Sequence, residues 1–179
     1  MKTDEEEIET LKNILKNIQS PAELDSHPWV EKNFVRQAVA KDPTLSTHSP
    51  GYQLLAAIAA LFRELVPPTP PVRGKRLDTR WGRFGILAAN YFAPFLFGRL
   101  YPNSLRDAWR HIDNAIFVFV YGDSLEELSD EEYDAYRLVS DEADMPANST
   151  ISDWHRQGLS ELAELILNRE SYLRENPLE

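Results

Sequence analysis

The sequence contains no cysteine. Disulfide frameworks, thiolate nucleophiles and cysteine-bearing zinc sites are excluded together, and the composition fits a reducing compartment. Secretory character is also missing: Asp4, Glu5, Glu6, Glu7 and Glu9 make the N-terminus acidic, and no basic start leads into an apolar run there. Long apolar runs are scarce. The longest, residues 84–97, contains Asn90 and falls short of the roughly 20 apolar residues a spanning helix needs, so it reads as core. A cytoplasmic protein with no membrane partner is the expectation. Glycine is sparse too, and no phosphate-cradling loop, dinucleotide fingerprint or nucleophile elbow occurs, so no cofactor is expected.

The 179 residues are 42% hydrophobic and 27% charged, values at which an ordinary soluble domain builds a full core. Pro67, Pro68, Pro70 and Pro71 mark a stiff, extended connector at 67–71. Residues before it are too few for a generous core of their own. A single domain over 1–179, with the connector inside it, is therefore expected.

The formal net charge of -10 disfavours a generic nucleic-acid or anionic-membrane binder. That charge is unevenly spread. Residues 1–72 carry -3, residues 73–111 carry +6 and residues 112–179 carry -13.

Apolar spacing of three and four predicts an all-α fold, an irregular bundle of about seven helices around apolar central helices. Ile8, Leu11, Ile14, Leu15 and Ile18 stripe a first helix over 5–19, and Ser20-Pro21-Ala22-Glu23 has the pattern of a capped turn. A helix over 28–41 places Trp29, Val30, Phe34, Ala38 and Val39 inward. The run 52–66 is apolar almost all round, as a central helix should be. Over 79–97, Gly82, Gly85 and Ala89 form a face that lets a neighbour approach closely; Pro94 should kink or end that helix, and Gly98 should stop it. Ser104 and Asp107 resemble a capping box for one helix running on through Tyr121. Residues 115–121 have strand propensity, but the helical spacing continues unbroken from Leu105. A helix through Val139, a polar loop over 141–149 and a long helix from Thr150 complete the prediction.

His27, His48, His111 and His155 are scattered, with no pair at ligand spacing. His111 and Asp107, four apart, share a helix face, and with Arg110 they are the one constellation from which an enzyme site could be assembled by the fold. The carboxylates of 141–144 lack the alternation and central glycine of a calcium loop. The segment that departs most from background is basic: Arg73, Lys75, Arg76, Arg80 and Arg83 surround Trp81. Forked guanidinium contacts there suit phosphates or carboxylates, with Trp81 as a stacking surface. Against this, the C-terminal third is an available internal counter-charge, and Trp81 lies on the apolar face with Phe84.

Leu128-Ser129-Asp130-Glu131-Glu132 followed by Ser149-Thr150-Ile151-Ser152-Asp153-Trp154-His155-Arg156 resembles the helix-turn-helix in the fourth region of bacterial sigma factors. The resemblance rests on capping chemistry alone. The would-be recognition helix carries Asp153, Glu161 and Glu164 against Arg156, the wrong balance for phosphate contacts, and no sigma-factor role is carried over. The expected function is a non-enzymatic interaction protein, an adaptor or regulatory subunit binding a protein partner. A nucleic-acid-associated factor using residues 73–83 is the first alternative, and an enzyme with a fold-assembled site the second.

Overall fold

The computed structural model describes residues 5–69, 77–121 and 146–178. Every regular element among them is helical, and no strand occurs among them. The helix expected through Val139 and the carboxylates of 141–144 lie outside the described residues. The chain folds into two compact units: Met1–Glu64 with Leu159–Glu179, and Leu65–Gly158.

In the first unit, α1 (Glu5–Lys16) buries Leu11, Ile14 and Leu15. The turn after it is a 3-10 helix, Pro21–Leu24, and Ser20 makes no side-chain capping bond there, contrary to the pattern's suggestion. The helix expected over 28–41 is broken in two. Pro28–Glu31 is a 3-10 turn headed by His27, Lys32 is extended, and α2 begins at Asn33 and ends at Lys41. The break has a long-range cause: Glu170 accepts hydrogen bonds from the Asn33 and Phe34 backbone N–H groups at 3.2 and 3.0 Å, and from Asn33 Nδ2 at 3.1 Å. That carboxylate satisfies orphan donors that no local side chain reaches.

Helix α3 (Pro50–Arg63) is capped by Ser49, and Leu54, Leu55, Ile58, Leu61 and Phe62 are buried along it. It packs on α2 and on the Pro21–Leu24 turn. A Cβ on Gly51 would collide with the Pro21 carbonyl, so this approach needs glycine. The part of the last helix within this unit contributes Leu162, Ala163, Ile166 and Leu173 to the core. Arg169 adds a tie, with Nη2 at 2.7 and 3.0 Å from the Glu64 carboxylate oxygens.

In the second unit, Asp78 caps α4 (Thr79–Leu87) by accepting from the Trp81 N–H at 3.0 Å. The helix does not continue unchanged to Phe97. Ala88–Phe92 is a π turn, and α5 (Ala93–Phe97) ends at Gly98, whose φ of 66° is left-handed. Pro94 has no N–H to give the preceding turn and its ring crowds that carbonyl; a widened turn accommodates both. Gly98 is the stop expected from sequence.

Ser104 accepts from the Asp107 N–H at 3.1 Å and opens α6 (Leu105–Arg110). The single helix expected through Tyr121 is interrupted at His111, where φ is -104° and ψ is 9°, and resumes as α7 (Ile112–Tyr121). The last helix, α8 (Asn148–Glu175), starts two residues before Thr150. Its residues through Gly158 belong to this unit. A Cβ on Gly82 would meet the Trp154 ring at 2.6 Å, one on Gly85 would meet Ile112, and one on Gly158 would meet Leu87 and the Arg83 carbonyl. The small-residue face of α4 is thus filled by close neighbours.

Candidate functional site

The basic segment is described only in part. Arg73, Lys75 and Arg76 lie outside the described residues. Arg80 is exposed and Arg83 half-buried. Trp81 is 1% exposed, its indole N–H donates to the Thr69 carbonyl at 2.7 Å, and its ring meets Phe84 edge-on. It therefore offers no free face to a base or a guanidinium. Of the two roles open to it from sequence, core packing is the one observed.

A different feature of the second unit has the shape of a site. Between the π turn, the Gly98 stop and the start of α7 lies a cleft of about 480 Å³. Ala89, Ala93, Pro94 and Ala115 supply apolar surface, while Arg99, Arg110, His111, Asp113 and Asn114 supply polar groups. Leu100 also lines it, 90% exposed. The chain forms this concavity for local reasons: the π turn at Ala88–Phe92 widens the helix, the left-handed Gly98 turns the backbone at Arg99, and the interruption at His111 separates α6 from α7. A π turn of this kind often accompanies a functional position.

Arg99, Leu100 and Arg110 are all exposed. His111 Nε2 lies 4.0 Å from Asp107 Oδ1, their side chains 61% and 35% exposed. At that separation and exposure the pair is a weak, solvated one. Arg110 and His111, singled out in the sequence with Asp107, do share the cleft, joined by Asp113 as a further carboxylate. Arg99, Leu100, Asp113 and Asn114 were not anticipated. The legible signal was charge, because the +6 segment 73–111 contains both Arg99 and Arg110. The helix interruption that brings them around one space was not encoded in spacing.

The remaining histidines have local duties. His27 Nδ1 accepts from the Trp29 N–H at 3.1 Å, and burial holds its pKa below the ordinary value. His48 stacks on Tyr52 with ring centres 4.3 Å apart. His155 is buried and shares a 2.7 Å hydrogen bond with the Tyr91 hydroxyl. Burial pushes the Tyr91 phenol up to about 12, with a hydrogen bond from Asn90 acting the other way. Among the described residues, no three histidines or carboxylates gather as metal ligands, and no helix is long and apolar enough to cross a membrane. No family model, curated protein or solved structure matches this chain.

Proposed function

We propose that the chain is a non-enzymatic helical interaction protein that binds a protein partner, and that the cleft bounded by Arg99, Leu100, Arg110 and His111 is where the partner docks. The observation that carries this is the pairing of arginines and an exposed leucine around an apolar floor. Arginine beside apolar surface is the composition that anchors protein interfaces. The charge pattern supports it, since a basic region on a protein of net charge -10 concentrates the attraction for an acidic partner in one place.

Affinity capture with the full chain tests the proposal. A partner held by the native chain should be reduced about tenfold or more by Arg99→Ala with Arg110→Ala, the scale of losing interfacial charge contacts. Retention unchanged by that pair removes the cleft. In parallel, changing Arg73, Lys75, Arg76, Arg80 and Arg83 to alanine tests the basic segment as the docking surface.

A second reading is favoured by one specific observation. Arg110, His111 and Asp113 line one cavity, the grouping an acid–base site requires. Under it, His111→Gln abolishes turnover of a substrate found by activity screening. Turnover that survives this change removes His111 from the chemistry.

A further inference from the structure

We infer that the Arg99–Leu100 peptide bond is a cleavage site for an arginine-specific endoprotease of the trypsin class, and that the cut chain persists as two fragments, 1–99 and 100–179, held together by the fold. A protease of this class takes the scissile arginine into a pocket with a carboxylate at its base and holds the flanking chain extended through main-chain hydrogen bonds. Its substrate must offer an accessible guanidinium on backbone that can leave its native conformation without unfolding an element.

Arg99 meets both needs. Among the described lysines and arginines it alone has non-helical chain on both sides, because Gly98 ends α5 and α6 does not begin until Leu105. Gly98, Arg99 and Leu100 are all exposed, Leu100 to 90%. Among the described residues, Arg99 and Leu100 take part in no hydrogen bond or ion pair, so extending them against a protease breaks none. Gly98 must leave its φ of 66° for an extended value, a rotation that costs a glycine little. Hydrolysis then breaks the bond from the Arg99 carbonyl carbon to the Leu100 nitrogen. Water supplies the hydroxyl to Arg99 and the proton to Leu100, leaving a carboxylate and an ammonium at neutral pH.

The fragments stay together because each compact unit draws chain from both sides of the cut. In the second unit, the Tyr91 hydroxyl and His155 share their 2.7 Å hydrogen bond, Phe97 meets Phe119 edge-on with ring centres 5.5 Å apart, and Gly82 lies against the Trp154 ring. In the first, Glu170 holds the head of α2 and Arg169 reaches Glu64. With no cysteine in the chain, packing and hydrogen bonds are the whole of the link. The new carboxylate and ammonium arise on the wall of the cleft, which both residues line. Cleavage therefore ends docking there, a consequence that rests on the proposed docking role, whereas the cleavage itself does not.

Brief digestion of the full native chain with a trace of trypsin, with the earliest products identified by mass spectrometry, tests the site. The Arg99–Leu100 bond should be cut about tenfold or more faster than the bonds after Arg80, Arg106, Arg110 and Arg156, which lie on helices and open only by local unfolding. Arg99→Gln should remove the 1–99 fragment. The cut chain should elute as one species of the intact size in native size-exclusion chromatography and separate into two on a denaturing gel without reductant. Cleavage no faster than at the helical arginines overturns the site, and fragments that part under native conditions overturn the persistence of the cut form. If a partner retained through Arg99 and Arg110 is retained equally by the cut chain, cleavage stands and its effect on docking is overturned. If Arg99→Ala with Arg110→Ala leaves capture unchanged, the docking reading fails, and the cleavage is decided by the fragments alone.

Discussion

Glu170, 5% exposed, accepts three hydrogen bonds at the start of α2. Charge-assisted bonds of this kind carry more than neutral ones, and their loss strands buried donors. Glu170→Ala should cost about 2–4 kcal/mol in denaturant unfolding, and Glu170→Gln roughly half of that because one accepting oxygen remains. His27 caps the Pro28–Glu31 turn through an unprotonated Nδ1, and its pKa lies below the ordinary 6.5 because the site is partly buried. The fold therefore favours the neutral ring. Its contribution is complete above pH 6.5 and is lost as pH falls below it. The stability gap between the native chain and His27→Asn, which caps without titrating, should narrow or reverse from neutral to mildly acidic pH. Tyr91 gives the opposite slope at the alkaline end. With its phenol pushed up from 10.0 to about 12, the fold holds a proton that the unfolded chain releases, so stability falls with rising pH across that interval. Ultraviolet titration should show Tyr91 ionising late, beside Tyr101, which burial also shifts upward, and Tyr91→Phe should remove its share of the late absorbance change.

Two glycines in the α4–α5 region separate packing from backbone geometry. Gly82→Ala places a Cβ 2.6 Å from the Trp154 ring and should cost about 1–3 kcal/mol through overpacking. Gly98 has nothing within 4 Å, so Gly98→Ala is penalised only for its left-handed φ, by about 1–2 kcal/mol. Trp154→Leu should recover part of the first loss and none of the second, a coupling measurable by a double-mutant cycle. The contrast also marks how far the elements were readable in advance. Gly82 and Gly85 announced a close approach through their spacing, and Gly98 announced a stop through its position. The breaks at Lys32 and His111 gave no such notice. At Lys32 the deciding carboxylate comes from 137 residues away, as the bond from Asn33 to Glu170 shows. The cleft was half legible for the same reason: composition marked a basic region, whereas the turns that gather Arg99 and Arg110 around one cavity depend on Pro94, Gly98 and tertiary packing together.

At the scale of the molecule, the first unit is assembled from Met1–Glu64 and Leu159–Glu179, with the second unit inserted between them in sequence. The fragment Met1–Glu64 lacks Leu162, Ile166 and Leu173 from its core and Glu170 from the head of α2. Such a fragment should show no cooperative unfolding transition in denaturant, and adding the peptide Leu159–Glu179 in trans should restore one. A sharp transition for the fragment alone would mean that α1, α2 and α3 suffice. The inserted order also bears on how the protein is made. Translation proceeds from the N-terminus at about 5–20 residues per second, so Leu11, Leu15, Leu54 and Phe62 leave the ribosome several seconds before the residues that cover them are synthesised. During that interval the nascent chain carries an unfinished apolar surface, the kind of surface holdase chaperones bind, until the Leu159–Glu179 part of the unit has been translated.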